Sequence, residues 1–117
     1  MSLQMKNQFG LVTIEDRVIA NIASAATLET YGIVGLAARN TKDGIYELLK
    51  LENATKGVCV ESTGPNSMII QLHVIMEYGI RIAIVAQNVI EKVKYSVESQ
   101  TGLIVDSVDL IVQGLRF

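Results

Sequence analysis

The sequence contains no tryptophan, a single proline and a single cysteine, and aromatic residues make up only 5% of the chain. One cysteine excludes an internal disulfide and a cysteine-based metal cluster, so Cys59 is interpreted as a small apolar residue. The only histidine, His73, excludes any site that needs several imidazoles. The net charge of −2 argues against electrostatic capture of nucleic acid or anionic lipid, since both need clustered Lys and Arg.

Membrane-spanning and targeting segments are also absent from the sequence. No apolar run approaches the ~18 to 20 residues that cross a bilayer, and the N-terminus lacks the basic and apolar regions of a signal peptide. We therefore expect a cytoplasmic protein without direct membrane insertion. Residues 1–3 precede an internal Met5 and are interpreted as a disordered or tag-derived start. A length of 117 residues predicts one domain, residues 1–117.

Half of the residues are apolar, and their spacing alternates along the chain between strand and helix periods. The pattern predicts a strand at 9–14, helices at 15–32 and 43–53, a hairpin of strands at 58–62 and 67–76, a helix at 80–101 and a strand at 103–117. The order β-α-α-β-β-α-β predicts an α+β two-layer sandwich. Its sheet has about four mostly antiparallel strands, and two long helices pack on one face.

The predicted strand at 67–76 has two different faces. Met68, Ile70, Leu72, Val74 and Met76 point one way and are expected to form the core. The alternate residues Ile69, Gln71, His73 and Ile75 are expected on an open face of the sheet. On the first helix, the predicted core stripe is Val18, Ile22, Ala25 and Ala26.

The segment TYGIVGLAARN raises a choice between two interpretations of Gly32 and Gly35. A GxxG turn between two helices can hold a nucleic-acid backbone, so the alternative function is an RNA-binding module of KH-like geometry. Ile33 and Val34 would gain nothing beside phosphate. The favoured interpretation is a helix that ends at Gly32, followed by core residues.

No catalytic, cofactor-binding or metal site is predicted, and we expect that the protein is not an enzyme. Asp106 and Asp109 are three positions apart on one predicted strand, so they point to opposite faces and cannot share a carboxylate site. No Walker loop, dinucleotide fingerprint or metal-ligand spacing occurs.

What is present instead is a set of apolar residues on faces expected to be wet. Leu11, Ile69, Ile75 and Ile111 are predicted to lie among polar residues, including His73, on the open sheet face, a mixture typical of protein interfaces. Ile84 and Tyr95 are predicted to lie opposite the core stripe of the helix at 80–101. These seven residues form the candidate interaction surface.

Several segments together resemble the alkaline shock, or envelope stress response, protein family of Gram-positive bacteria. The matching features are Gly10-x-Val12-x-Ile14, Tyr31-Gly32-Ile33-x-Gly35-Leu36, Tyr78-Gly79 and Thr101-Gly102-Leu103, and the helix VAQNVIEKVKYSVESQTG is the most specific segment. The insert KDGIYELLKLENATKGV resembles a compact single-domain branch found in many Firmicutes. Ile84 is a departure, because relatives more often carry a polar residue there.

The resemblance implies a small cytoplasmic, non-enzymatic protein associated with cell-envelope or alkaline stress. It also implies self-association into a homo-oligomer and, in some members, a membrane-anchored protein partner. No catalytic residues or cofactors are implied. Together with the residue patterns, the resemblance predicts a protein–protein interaction or scaffold module in cell-envelope stress.

Overall fold

The structure is a computed structural model that describes residues 2–40 and 45–117. The elements in chain order are β1 (Ser2–Asn7), β2 (Gly10–Glu15), α1 (Asp16–Leu28), β3 (Ile33–Asn40), β4 (Ile45–Leu48), a 3-10 helix (Leu51–Gly57), β5 (Val58–Gly64), β6 (Ser67–Glu77), α2 (Ile82–Thr101) and β7 (Ile104–Arg116). Strands β3 to β7 form a five-stranded sheet, whereas β1 and β2 form a separate hairpin. The predicted α+β class is confirmed.

Strand β6 is the centre of the sheet. Along one edge it pairs antiparallel with β5 over its first half and with β3 over its last residues, and β4 continues the sheet beyond β3. Along the other edge β6 pairs in parallel with β7 from Ser67↔Ile104 to Glu77↔Arg116. This parallel pair is possible because the chain crosses over through α2 between the two strands.

The core lies between the sheet and the two α-helices. The predicted inward face of β6 is confirmed, since Met68, Ile70, Leu72, Val74 and Met76 are all fully buried. Helix α2 buries Val85, Val89, Val93 and Val97. On the outside, an ion pair joins Nζ of Lys92 on α2 to Oε2 of Glu29 after α1 at 3.0 Å.

The predicted core stripe of α1 is confirmed at Ala26, while Ile22 is only partly buried against the core, and it is wrong at Val18 and Ala25. The buried residues are Ile19, Ala20, Ala23, Ser24, Ala26 and Thr27, whereas Val18 and Ala25 are exposed and Ile22 is half-buried. Both stripes of this helix are apolar, so spacing alone does not separate them. The observed stripe consists mainly of small side chains, which allow α1 to lie close to the sheet.

The predicted short helix at 43–53 is also wrong over its described part. Ile45–Leu48 is a strand that pairs antiparallel with β3, and Leu51–Gly57 is a 3-10 helix. Asp43, the predicted helix start, lies outside the described residues. Pairing with β3, from Asn40↔Ile45 to Ala37↔Leu48, provides the backbone with cross-strand hydrogen bonds. Such a short apolar run cannot be assigned by period alone.

The start of the chain is ordered from Ser2, contrary to the expectation of disorder. Leu3 is fully buried in the core and pairs with Ile14 of β2. The N–H of Gln4 donates to the carbonyl of Pro65 at 2.8 Å, which fixes β1 beside the β5–β6 turn. Leu3 and Met5 alternate with polar residues, and this alternation gives β1 an inward face.

Candidate interaction surfaces

The sheet face that points away from both helices carries most of the predicted surface. Ile69, His73 and Ile75 lie on β6, and the register places Ile111 of β7 directly beside His73. All four are half-buried by one another and by their polar neighbours. In the part of the chain that the structure describes, no helix packs on this side. We call these four residues, with Gln71, Asp109 and Gln113, the sheet face.

A hydrogen bond across two strands orders the middle of the sheet face. Nε2 of Gln113 lies 2.7 Å from Nδ1 of His73. An amide nitrogen can only donate, so Nδ1 of His73 is the acceptor in this contact. The contact leaves Nε2 of His73 as the ring nitrogen that is available to a partner.

Cys59 borders the sheet face and is exposed. It lies on β5 opposite Gln71. The neighbours Val58 and Val60 point inward, and strand alternation therefore turns Cys59 outward.

The prediction that Leu11 belongs to the sheet face is wrong. Leu11 lies on β2, which pairs with β1 and does not join the five-stranded sheet. Its side chain is 54% exposed, next to Val12 at 50% and near Phe9 at 89%. The hairpin contributes Leu3 and Ile14 to the interior and leaves an apolar tip outside. Alternation in the sequence indicated that the side chain of Leu11 is exposed. It did not indicate which strand pairs with the strand that contains Leu11.

Ile84 and Tyr95 are exposed on α2, at 50% and 73%, as the helical spacing predicts. They lie on the helix side of the molecule, opposite the buried stripe that contains Val89 and Val93. The core and the sheet separate them from Ile69. The structure therefore does not combine the predicted residues into one surface: it has a sheet face and a separate helix ridge.

Two exposed features were missed by the sequence patterns. The rings of Tyr78 and Phe117 stack with their centroids 4.4 Å apart, and both are largely exposed. The outer edge of β7 has no strand beside it among residues 2–40 and 45–117. A helix between two strands is typical of parallel pairing, and this signal could have placed β7 beside β6 with its other edge open.

The glycine segment does not form an RNA-gripping loop. Gly32 takes a φ of 93° in the turn that follows α1, and the chain then enters β3 rather than a second helix. Gly35 lies within β3 beside Ile75, and both glycines are buried. The favoured interpretation is confirmed at Leu36, which is fully buried, while Ile33 and Val34 are half-buried. It is wrong about the helix end, because α1 ends at Leu28 with Glu29 as its C-cap and not at Gly32. This geometry contradicts the structural premise of the KH-like alternative.

Within the described ranges, no group of three or more His, Cys, Asp or Glu side chains could hold a metal ion. The prediction that Asp106 and Asp109 point to opposite faces is wrong, because the bulge at Asp106 shifts the alternation of β7 by one residue. Val105 and Val108 are both buried, and Asp106 and Asp109 are both exposed. Asp106 accepts a hydrogen bond from Oγ1 of Thr63 at 2.5 Å. Neither α1 nor α2, the α-helices of the described residues, has the length and hydropathy that a membrane span requires.

Comparisons with known proteins agree over almost the whole chain. The chain is 44% identical over 117 residues to YloU of Bacillus subtilis, a protein described as uncharacterized, with 99% of this chain and 97% of that protein covered. It is 36% identical over 117 residues to Spy1614 of Streptococcus pyogenes, covering 99% and 96%. YqhY of Bacillus subtilis is more distant, at 27% over 108 residues, covering 92% and 78%.

A solved structure gives a likeness of fold only. It is a C-terminal domain of MamM, with a TM-score of 0.51, 10% sequence identity, and coverage of 84% of this chain and 93% of that chain. A family model matches residues 4–117 and shows to which family the chain belongs. The chain belongs to the alkaline shock protein 23 family, which is described by a cell envelope-related function.

Proposed function

We propose that this protein is a non-enzymatic, cytoplasmic interaction module that associates with itself and acts as a scaffold in cell-envelope stress. Family membership supports the link to the envelope. In this proposal the sheet face receives a protein partner, such as one anchored in the membrane. No substrate or cofactor is needed for this role.

The observation that carries the proposal is the composition of the sheet face. Three isoleucines, Ile69, Ile75 and Ile111, lie on two adjacent strands around the hydrogen-bonded His73 and Gln113. Apolar residues enclosed by polar side chains are typical of protein interfaces, and aliphatic side chains cannot perform acid–base or nucleophilic chemistry. The cell envelope-related description of the family and the three isoleucines of the sheet face together favour an adaptor over an enzyme.

Light scattering of the purified chain at micromolar concentration tests the proposal. We expect a species larger than a monomer. The variant Ile111→Glu should dissociate it, because it places a carboxylate in an apolar contact, while circular dichroism remains unchanged. Gln100→Glu adds the same negative charge at an exposed position on α2 and should leave the assembly intact. A wild-type chain that stays monomeric throughout would contradict the self-association part of the proposal.

A further inference from the structure

Among the described residues, strand β7 is the longest strand and pairs with a single neighbour. It runs for 13 residues from Ile104 to Arg116, and β6 is its sole partner among the described residues. An open strand edge offers unpaired N–H and C=O groups, and such an edge can pair with another chain. Only the peptide groups of β7 that point away from β6 can pair with another chain.

Hydrogen bonds at both ends of β7 identify the inward-facing peptide groups. The N–H of Ile104 donates to the carbonyl of Asn66 at 2.9 Å, and the carbonyl of Arg116 accepts from the N–H of Tyr78 at 2.9 Å. Both groups therefore face the β6 side. In a regular strand the N–H and C=O of one residue point to the same edge, and successive residues alternate between edges.

Two bulges modify this alternation. The register skips Asp106, between Val105 and Ser107, and it skips Gln113, between Val112 and Gly114. Each bulge inserts one residue without a partner on β6. The residues whose peptide groups point away from β6 are then Val105, Val108, Leu110, Val112 and Leu115. The spacing of these five positions is the same when read in either direction from Leu110.

An independent contact agrees with this assignment. The N–H of Val105 donates to Oε2 of Glu98 on α2 at 3.0 Å, so it does not face β6. This bond already satisfies the outward donor at the start of the strand. The open part of the edge is therefore centred on Leu110, with Val108 on one side and Val112 on the other.

On the core side of the sheet, the apolar side chains of β7 are less completely buried than those of β6. On β6 the inward residues Leu72, Val74 and Met76 are fully buried. Their register partners on β7 are Leu110, Val112 and Leu115, of which the first two are half-buried and the third is 39% exposed. A strand added beyond β7 would cover these side chains, so pairing at this edge would also bury apolar area.

We propose that a second copy of this chain pairs with β7 antiparallel across a two-fold axis at Leu110. In this register Leu110 pairs with Leu110 of the second copy, and Val108 pairs with Val112 of the second copy on either side of the axis. The symmetric spacing makes the edge complementary to itself, as a two-fold contact requires. The inference rests on the proposed self-association and assigns it to the edge of the sheet rather than to the sheet face.

Charge in this register supports the pairing at the ends and opposes it at one inner position. Asp106 lies diagonally across from Arg116 of the second copy, within reach of a long side chain, and symmetry repeats this contact. The two Asp109 residues also lie diagonally, which is a like-charge contact. Both sets of side chains belong to the side of the sheet face. The dimer therefore has one continuous ten-stranded sheet with two sheet faces side by side.

The register can be tested by crosslinking. Asp109 would face Ile111 of the second copy in a non-hydrogen-bonded pair, with a Cα separation of about 4.5 Å, which suits a disulfide. In a Cys59→Ser background, a mixture of the Asp109→Cys and Ile111→Cys proteins should form a crosslinked dimer under mild oxidation. Each protein alone should not. Efficient crosslinking of Ile111→Cys alone would place the axis at Ile111 and overturn the proposed register.

Light scattering then separates this inference from the proposed function. Val112→Pro removes an outward N–H at two equivalent sites and should weaken the dimer by about tenfold per site. The control Val112→Ala keeps the N–H and should retain the dimer. Ile69→Glu, one strand away from the edge, should also retain it.

The outcomes differ for the two proposals. An assembly that survives Val112→Pro without crosslinking, or that Ile69→Glu dissociates, overturns edge pairing and leaves self-association in place. A wild-type chain that is monomeric at all concentrations overturns both. If Val112→Pro is unfolded by circular dichroism, the crosslinking result decides, because it needs no proline.

Discussion

At the scale of single residues, two glycines share a left-handed backbone but differ in their surroundings. Gly32 has a φ of 93°, and a Cβ there would lie 3.0 Å from Cγ2 of Val85 and 3.2 Å from Cδ1 of Ile80. Gly79 has a φ of 92° with no atom within 4 Å of the same position. Substitutions at the two glycines therefore separate the free-energy cost of a left-handed backbone from the free-energy cost of steric crowding.

We expect Gly79→Ala to lower the free energy of unfolding by about 1–2 kcal/mol, the cost of a left-handed non-glycine residue. Gly32→Ala should lose a further ~1–3 kcal/mol, because the added methyl group presses on the α2 side chain Val85. Urea denaturation of both variants measures the difference. Equal losses would mean that Val85 and Ile80 move aside at no cost.

A buried hydroxyl at the end of α2 provides a second prediction at this scale. Oγ1 of Thr101 donates to the carbonyl of Val97 at 2.6 Å and accepts from the N–H of Leu103 at 3.1 Å. Thr101→Val leaves that buried N–H without its acceptor, so the free energy of unfolding should fall by about 1–3 kcal/mol. Thermal unfolding followed by circular dichroism measures the loss.

Thr27→Val is the matched control for this prediction. Oγ1 of Thr27 is equally buried but only donates, to the carbonyl of Ala23 at 2.8 Å. That carbonyl is already within the hydrogen-bond ladder of α1, so its loss should cost less than about 1 kcal/mol. Similar losses for the two variants would exclude a special role for the Leu103 contact.

At the scale of elements, β1 is the strand whose contribution is least evident from the sequence. Leu3 is fully buried although it stands almost at the start of the chain. Met5 lies against the end of α2, with its Sδ 3.1 Å from the position that a Cβ on Gly102 would take. The strand thus closes the end of the core between the β5–β6 turn and α2.

Leu3→Ala should lower the free energy of unfolding by about 2–5 kcal/mol, because it empties a closed site in the core. Gln4→Ala should change it by less than about 0.5 kcal/mol, since the Gln4 side chain is exposed and its backbone bond to Pro65 remains. Urea denaturation compares the two. A neutral Leu3→Ala would show that β1 is dispensable for the core.

Elements whose apolar residues follow one clear spacing were predicted from the sequence. Elements whose apolar residues fit more than one spacing were not. The hairpin of β5 and β6 and the helix α2 were predicted because each has one clearly apolar side. Strand β4 was assigned to a helix, because its apolar run is too short to show one period and its strand state depends on pairing with β3. The core side of α1 was assigned correctly at Ala26 but wrongly at Val18 and Ala25, because both sides of this helix are apolar.

At the scale of the whole molecule, alternation predicted which strand side chains point away from the core. It did not predict which strands are neighbours in the sheet. Ile69, His73, Ile75 and Ile111 lie together because β6 and β7 pair in parallel. Leu11 lies elsewhere because β1 pairs with β2. The helix between β6 and β7 indicates their parallel pairing, but alternation within a strand does not record which strand lies beside it.

Edge pairing predicts a dependence of amide hydrogen exchange on concentration. The N–H groups of Leu110 and Val112 should exchange quickly in dilute protein and more slowly at concentrations that favour the dimer. Those of Leu72 and Val74, inside the sheet, should be protected at both concentrations. Exchange followed by NMR at two concentrations measures this. Protection of Leu110 that is independent of concentration would contradict pairing at this edge.

The single cysteine, Cys59, is exposed on the strand next to the sheet face and offers a labelling site in the native sequence. An environment-sensitive fluorophore attached there would occupy the border of the face without an engineered position. Its emission should shift to shorter wavelength when a partner covers the neighbouring isoleucines, and pairing at the far edge of β7 should leave it nearly unchanged. One label can thus distinguish occupation of the face from dimerisation of the edge.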